Sequence, residues 1–267
     1  MSEAADRALI LGASSGFGAA AARAFAATGM RVHGVHLDRR SGAARVAALA
    51  AELGQSAGSA HLYNTNAADD GRRGEVLDHI GEEVRAQGGR VRVLLHSLAF
   101  GSLVPLAPES GPDALPPATR KQLDMTMDVM AHSLVHWVRD LVDRDLLADG
   151  ARIFALTSSG SHTVLRRYGP VGAAKAALEA HVRQLAVELA PRGITVNAIM
   201  AGITDTPALR KIPDHEKVLA SARARNPQGR LTRPEDVAEA LVALSGPGTA
   251  WMTGNVLRVD GGEDITG

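Results

Sequence analysis

A tyrosine and a lysine seven residues apart, Tyr168 and Lys175, are the side chains best placed for proton chemistry. They lie in the stretch YGPVGAAK, where Pro170 fits the first turn of a helix. Tyr168 would then lie at the helix N-terminus, whose positive dipole favours negative charge on a nearby oxygen. Lys175 could bond the hydroxyl groups of a cofactor and bias Tyr168 towards proton donation. Ordinary surface residues are the alternative explanation of this pair alone.

A glycine cluster, GASSGFG at residues 12–18, follows the first apolar run and precedes an alanine-rich helical stretch. Glycine permits positive φ and lets backbone N–H groups approach a pyrophosphate at a helix N-terminus. The spacing GxxxGxG differs from the commoner GxGxxG and is by itself a weak signal. Its place between a strand and a helix favours a dinucleotide site.

Charged residues follow the second apolar run, at Asp38, Arg39 and Arg40. A carboxylate about 20 residues past the glycines can bond both hydroxyls of the adenosine ribose and repels a 2′-phosphate. Arg39 and Arg40 would instead attract that phosphate through charge-assisted hydrogen bonds. The sequence therefore favours NADH and leaves NADPH open, with a solvated loop of mixed charge as the alternative.

Short apolar runs alternate with longer amphipathic stretches along the whole chain. Runs that are apolar on both faces are typical of strands covered by helices on both sides, which predicts an α/β fold. We expect a Rossmann-type, doubly wound parallel sheet of about seven strands in a single domain, residues 1–267. The predicted strands are Ala8–Leu11, Arg31–His36, Ser59–Tyr63, Val91–His96, Arg152–Thr157, Ile194–Ile199 and Val256–Val259. The proline-rich segment 101–119 follows the fourth strand and is either an active-site loop or a linker.

Composition excludes several classes of protein. The 29 basic residues equal the 29 acidic ones, so the chain lacks the basic surface that nucleic acid binding requires. The absence of cysteine excludes disulfides, thiolate nucleophiles and cysteine-bound metals, and suggests a reducing compartment. No apolar run approaches the ~20 residues of a membrane span, and the start MSEAADRA lacks the apolar segment of a signal peptide. We therefore expect a soluble, cytoplasmic protein with no membrane partner.

Over essentially its whole length, the chain resembles the short-chain dehydrogenase/reductase family. The matching segments are GASSGFG at 12–18, LTSSGS at 156–161, YGPVGAAKAALEA at 168–180, APRGITVNAI at 190–199, NPQGRLTRPEDVAEA at 226–240 and TGNVLRVDGG at 253–262. Most members have tyrosine and lysine four apart, whereas Val171 stands four residues before Lys175 here. The seven-residue spacing, HSLA at 96–99 and Met130 in place of an asparagine resemble the enoyl-acyl-carrier-protein reductases, the type III enzymes in particular.

This resemblance implies NAD(P)H-dependent reduction of the trans-2 double bond of enoyl thioesters, on acyl carrier protein or coenzyme A, in fatty acid biosynthesis. Tyr168 would stabilise the enolate oxygen, Lys175 would clamp a ribose, and Ser159 would occupy the family's active-site serine position. Relatives are commonly homotetramers in which the helix after Tyr168 forms one contact. The residues assigned to the cofactor are Gly12, Ser14, Ser15, Gly16, Phe17, Gly18, Asp38, Arg39, Asn64, Thr65, Ser97, Leu98, Ala99, Lys175, Ile203 and Thr206.

Three further expectations complete the interpretation. The segment 207–226 lies where the family has its substrate-binding loop, although an ordinary amphipathic helix pair would show the same pattern. No metal site is expected: His132 and His136 lie one helical turn apart, but neither an intervening glutamate nor a third ligand accompanies them. The alternative functions are reduction of a 3-oxoacyl thioester or another ketone, and dinucleotide binding without catalysis.

Overall fold

The computed structural model describes residues 5–57, 60–212 and 214–266. Within these residues, seven parallel strands form one sheet in the order β3-β2-β1-β4-β5-β6-β7. They are β1 Arg7–Leu11, β2 Arg31–His36, β3 Ala60–Asn64, β4 Val91–His96, β5 Leu147–Thr157, β6 Thr195–Ala201 and β7 Val256–Val259. The strand order reverses between β1 and β4, and folds of this type bind their ligands at that reversal, beyond the carboxyl ends of the strands. The predicted Rossmann-type fold is confirmed.

Helices cover both faces of the sheet. They are α1 Gly16–Ala27, α2 Ala43–Ala57, α3 Asp70–Gln87, α4 Arg120–Met127, α5 Ser133–Asp143, α6 Gly169–Glu188, α7 His215–Arg225 and α8 Pro234–Leu244. A π-helical turn, Asp128–His132, joins α4 to α5. In the part of the chain that the structure describes, no helix is both long and apolar enough to cross a bilayer.

The core has one layer on each side of the sheet, which explains the unbroken apolar runs of the strands. Leu9 of β1 packs in one layer with Leu94 of β4, and the adjacent Ile10 packs in the other with Leu95. Successive strand residues point to opposite faces, so a strand covered on both faces must be apolar at every position.

One strand differs clearly from its prediction. β5 begins at Leu147 rather than at Arg152, because Leu147 already pairs with Val91 of β4 before the register shifts. Gly150, with φ of 67°, lies within this irregular part of the strand. The polar and glycine residues there do not resemble a strand in the sequence. The predicted start of β3, Ser59, lies outside the described residues.

Candidate active site

A cleft of about 350 Å³ opens at the carboxyl ends of β4, β5 and β6. Its walls are formed by the glycine loop, the segment after β4, and the start of α6. Many residues that the sequence assigns to catalysis or cofactor binding line this cleft. They are Phe17, Ser97, Leu98, Ala99, Ser159, Tyr168, Lys175, Ile203 and Thr206.

Tyr168 is the N-cap residue of α6, at the positive end of that helix, and its side chain makes no capping hydrogen bond. The hydroxyl is 3.4 Å from the Oγ of Ser158. Its ring packs on Gly160, where an added Cβ would come within 2.5 Å of the Tyr168 Cε1. Burial raises the pKa of Tyr168, against the opposing effect of the Ser158 hydrogen bond. Tyr168 is therefore protonated at neutral pH and can donate a hydrogen bond.

The serine hydroxyl beside Tyr168 belongs to Ser158, not to the predicted Ser159. Ser158 precedes a 3₁₀ turn, and its side chain accepts a hydrogen bond from the Gly160 N–H at 3.0 Å. Ser159 also lines the cleft, and its carbonyl oxygen accepts hydrogen bonds from Thr163. The sequence pattern gives two adjacent serines but not which of them the turn directs at the tyrosine. The catalytic role of Ser159 stays a prediction.

Lys175 is buried at the base of the cleft. Its Nζ donates a hydrogen bond of 2.6 Å to the Leu156 carbonyl and lies 3.5 Å from the Leu98 carbonyl. Burial lowers the pKa of Lys175 to about 8, although the charge of Glu179 opposes this effect. The ammonium group is therefore charged at neutral pH, with a third N–H for a ligand hydroxyl.

Apolar side chains fill the places where most of the family has its tyrosine and asparagine. Val171 and Met130 are both buried, and both pack against Gly101. An added Cβ at Gly101 would lie 2.7 Å from the Val171 Cγ2 and 2.8 Å from the Met130 Sδ. Neither position can supply a proton, so the hydroxyl on this wall of the cleft comes from Tyr168.

The glycine loop fits a pyrophosphate. Gly12 has a φ of 93°, and an added Cβ there would lie 2.3 Å from the Ser97 carbonyl oxygen. A Cβ at Gly18 would lie 2.1 Å from the Gly12 carbonyl oxygen, so the loop can pack this tightly only with glycine. α1 begins at Gly16, and the Ser15 side chain makes no capping hydrogen bond there. The backbone N–H groups of this first turn can therefore bind an anion.

Asp38 lies just beyond β2, next to the glycine loop. Its carboxylate pairs with Arg45 at 2.6 Å and with His36 at 3.0 Å. Although burial would raise it, the pKa of Asp38 is lowered by hydrogen bonds from Ser14 and His36 and by the charge of Arg45. Arg45 lies in α2, and its contact with Asp38 is not evident from the sequence. Both Arg45 and the predicted Arg39 are exposed.

Asn64 is the last residue of β3, Thr65 follows it, and Asn64 contacts Asp38. The Asn64 amide accepts a hydrogen bond from the Asp38 N–H and donates one to the Asp38 carbonyl oxygen, both at 3.1 Å. Among the described residues, the buried Thr65 hydroxyl has no hydrogen-bond partner. A buried polar group without a partner is costly. The contact that the sequence predicts between Thr65 and the adenine stays a prediction.

Comparison with known proteins places the chain in a family. The family model described as Enoyl-(Acyl carrier protein) reductase matches residues 12–263. Enoyl-(acyl-carrier-protein) reductase (NADH) FabI of Bacillus cereus is 30% identical over 193 residues, 72% of this chain and 73% of that protein. Enoyl-(acyl-carrier-protein) reductase (NADH) 1 of Rhizobium meliloti is 32% identical over 192 residues, 72% of this chain and 68% of that protein. The chain belongs to the enoyl-(acyl carrier protein) reductase family.

A solved structure agrees with this family assignment. The crystal structure of enoyl-(acyl-carrier-protein) reductase (NADH) from Aquifex aeolicus has a TM-score of 0.81 and 26% sequence identity, over 98% of this chain and 97% of that one. The resemblance stated from the sequence is confirmed at the level of the family. The particular likeness to type III enzymes stays a prediction.

The segment after β6 forms part of the reductase site, and it is held in place by Glu263, near the C-terminal end of the chain. The Ile203 N–H donates a hydrogen bond of 3.0 Å to the Oε2 of the buried Glu263. A contact between Ile203 and a carboxamide would therefore use the Ile203 carbonyl oxygen. Thr206 accepts a hydrogen bond from the Leu209 N–H and lies against Gly16, so it connects this segment to the glycine loop.

Two segments of the reductase close the outer side of the cleft. The proline-rich segment 101–119 is fastened beside Tyr168, because the Arg167 guanidinium pairs with the Glu109 carboxylate at 2.7 Å. In the predicted substrate-binding segment 207–226, Leu209 and Ile212 line the cleft. The rest of that segment forms α7, and Pro213 lies outside the described residues.

Proposed function

We propose that this protein reduces the trans-2 double bond of an enoyl thioester carried by acyl carrier protein. A hydride from NAD(P)H adds to the β-carbon, a proton adds to the α-carbon, and the products are a saturated acyl thioester and NAD(P)⁺. The observation that carries this proposal is the position of Tyr168, the N-cap residue of α6, seven residues before Lys175 and with its hydroxyl beside Ser158 in the cleft. Val171 fills the position between them where a ketone-reducing tyrosine would stand.

Tyr168 is displaced along the helix relative to the tyrosine of ketone reductases, and this displacement fits the atom on which negative charge develops in enoyl reduction. In ketone reduction, the negative oxygen is bonded to the carbon that receives the hydride. In enoyl reduction, the negative oxygen belongs to the thioester carbonyl, two carbons away from the hydride acceptor. Three additional residues of separation move the tyrosine about 4.5 Å along the helix axis, away from the lysine. The Tyr168 hydroxyl can then donate its hydrogen bond to the enolate oxygen rather than to an alkoxide.

The remaining residues bind and orient the reactants. Bound nicotinamide supplies the hydride, and the buried Lys175 holds its ribose by the free N–H of the ammonium group. Apolar side chains that line the cleft, among them Leu98, Leu103 and Leu209, exclude water from the acyl chain. We assign the substrate-binding role predicted for 207–226 to its first part, which includes Leu209 and Ile212.

NADH is the reductant that we favour. The relatives named above carry NADH in their names, and Asp38 offers a carboxylate where the adenosine ribose would bind. Arg45, half-exposed on the other side of Asp38, is the group that would accept the 2′-phosphate of NADPH. Coenzyme A thioesters stay an alternative substrate. A homotetramer and a cytoplasmic location are likewise proposals that rest on the family resemblance.

Turnover of matched substrates tests the proposal. Loss of nicotinamide absorbance would be measured for NADH and NADPH, each with a trans-2-enoyl and a 3-oxoacyl thioester. We expect turnover of the enoyl substrate, a fall of about 10²–10³ in kcat for Tyr168→Phe, and unchanged dinucleotide affinity. Turnover of the oxoacyl substrate alone would instead assign ketone reduction, and full activity of Tyr168→Phe would refute the role of the tyrosine. The kcat values of Ser158→Ala and Ser159→Ala show which of the two serines contributes to the reaction.

A further inference from the structure

A cluster of histidines lies at the edge of the sheet, on residues that do not line the cleft. His61 and Tyr63 lie on one face of β3, two residues apart, and His33 of β2 is in register with His61. His79 and Glu83 lie one turn apart on α3, which covers this face. Residues from two strands and one helix therefore meet around a single carboxylate.

The two oxygens of the Glu83 carboxylate face different surroundings. Oε1 lies 2.8 Å from the Nε2 of His61 and 3.6 Å from the Nε2 of His79, and both histidines are half-exposed. Oε2 points into the protein, 3.4 Å from the Nε2 of His33 and 3.7 Å from the Nε of Arg7. Arg7 and His33 are fully buried. The inner oxygen is therefore neutralised by Arg7, and the outer one faces two accessible imidazoles.

The Tyr63 hydroxyl bridges two of the histidines. It lies 2.9 Å from the Nδ1 of His33 and 2.8 Å from the Nδ1 of His79. The Nε2 of each ring is on the side of Glu83, 3.4 Å from Oε2 for His33 and 3.6 Å from Oε1 for His79. The contact with Tyr63 therefore holds the His79 ring with its Nε2 towards the carboxylate.

His79 is oriented in the same way as a metal-binding histidine. Its Nδ1 is held by the Tyr63 hydroxyl, and its Nε2 faces the Oε1 of Glu83 at 3.6 Å. The Nε2 of His61 lies 2.8 Å from the same oxygen, so two imidazole nitrogens and one carboxylate oxygen converge. Metal-binding histidines characteristically have their other ring nitrogen fixed by such an outer hydrogen bond.

We propose that His61, His79 and Glu83 bind one zinc ion through the two Nε2 atoms and Oε1. These three atoms lie within 4.8 Å of one another. Zn²⁺ binds histidine nitrogen and carboxylate oxygen at about 2.0–2.2 Å in tetrahedral geometry, which requires only small movements of the half-exposed side chains. Water would be the fourth ligand on the exposed side. Tyr63 would act as a positioning residue, through its hydrogen bond to His79.

The bound ion would fasten the edge strand of the sheet to the helix that covers it. β3 pairs only with β2 in the described sheet, so its other edge is free. A link from His61 to α3 would add a restraint where hydrogen bonding to a further strand is missing. The proposed role is structural, and it is independent of the proposed reductase activity.

Zinc binding by the metal-free, full-length protein tests this assignment. We expect calorimetric titration with ZnCl₂ to show one tight site per chain and the thermal midpoint to rise when zinc is added. His61→Ala, His79→Ala and Glu83→Gln should each abolish the tight site and the rise in midpoint. Tyr63→Phe should weaken zinc binding by about 10–100-fold, because it removes only the outer hydrogen bond.

The matched control is His181→Ala, which removes one member of another histidine pair, His132 and His181, 3.0 Å apart. This variant should bind zinc as the unsubstituted protein does. Circular dichroism in EDTA establishes that each variant is folded, and conserved enoyl reduction in Glu83→Gln separates this assignment from the proposed function. The assignment is overturned if no tight site is found, or if the site survives in His79→Ala and Glu83→Gln, or if His181→Ala abolishes it.

Discussion

The charge of Lys175 links the pH of the medium to cofactor binding. Its Nζ is held by the Leu156 carbonyl in a buried position, and burial lowers its pKa to about 8. Near neutral pH the lysine is therefore charged, and it loses its proton well below the range usual for a lysine. An ammonium that has lost its charge binds ribose hydroxyls less strongly, since charge-assisted hydrogen bonds are the stronger kind.

We therefore expect kcat/KM for NADH to fall as pH rises through about 8, a value that reports on the free enzyme. Lys175→Met should have low activity at all pH values and lack this alkaline fall. The lowered pKa of Lys175 also affects stability. We expect the free energy of unfolding to rise with pH between about 8 and the ordinary lysine pKa of 10.5, because the unfolded chain binds more protons than the folded one in this range. Denaturant unfolding of Lys175→Met should not show this gain. An alkaline fall that persists in Lys175→Met would assign it to another group.

Cofactor preference is a second prediction at the residue scale. Asp38→Ala removes the carboxylate that would repel a 2′-phosphate and releases Arg45, so NADPH use should increase relative to NADH. Arg45→Ala has the opposite effect: it leaves the carboxylate without its guanidinium partner and should lower NADPH use below that of the unsubstituted protein. Ratios of kcat/KM for the two cofactors measure both effects. An unchanged ratio in Asp38→Ala would show that Asp38 does not contact the ribose.

Single residues of this site were predicted unevenly from the sequence. Gly12 and Gly18 were identified because their spacing is local, and the structure shows why no Cβ fits there. Arg45 was missed because it reaches Asp38 only through the packing of α2 on the sheet. Which of the two adjacent serines lies beside the Tyr168 hydroxyl does not follow from the sequence, because this contact of Ser158 depends on the geometry of the turn after β5.

At the scale of elements, the start of α6 and the proline-rich segment form one unit. Arg167 has a positive φ of 60° and directs its guanidinium at Glu109, and Leu106 packs over Gly169. The adjacent Arg166 is exposed and lies 3.8 Å from the same carboxylate. From the sequence, this segment is either a loop of the site or a linker, because proline content does not reveal what a segment contacts.

Arg167→Gln should loosen this segment and raise KM for the enoyl thioester several-fold, with a smaller change in NADH affinity. The reason is that Gly101 and Leu103 of this segment line the cleft with Tyr168, where we propose that the thioester binds, whereas the glycine loop would hold the nucleotide. Arg166→Gln is the matched control and should leave both constants nearly unchanged, since exposed ion pairs contribute little. Equal effects of the two substitutions would contradict a positioning role for Arg167. Steady-state kinetics with each substrate varied separately measures the KM for the enoyl thioester and the KM for NADH.

At the scale of the whole molecule, the sequence predicted the architecture better than the ends of its elements. Runs such as those of β1 and β4 are apolar on both faces because the sheet carries a core layer on each side. That pattern suffices for a doubly wound sheet. The start of β5 at Leu147 was not predicted, because pairing with β4 continues through polar residues and a glycine. Local composition does not show such pairing.

The surface of α6 bears on the proposed homotetramer. Val182, Leu185 and Ala186 of this helix are buried, whereas Val187 is 73% exposed. Trp251, before β7, is 97% exposed. Large apolar side chains exposed on a monomer are explained if subunits cover them, although a single such residue is ordinary. Val187 is therefore the position at which the expected contact of α6 can be tested without changing the core.

Sedimentation of the purified protein should give a mass of four chains of 27.8 kDa. Val187→Asp should shift this mass to a smaller species, because an unpaired carboxylate buried between subunits is costly. Val164→Asp places the same charge on a side chain that is 97% exposed but outside α6, and it should leave the mass unchanged. If Val187→Asp remains a tetramer, the contact does not include the exposed side of α6. A monomeric unsubstituted protein would instead refute the proposed homotetramer.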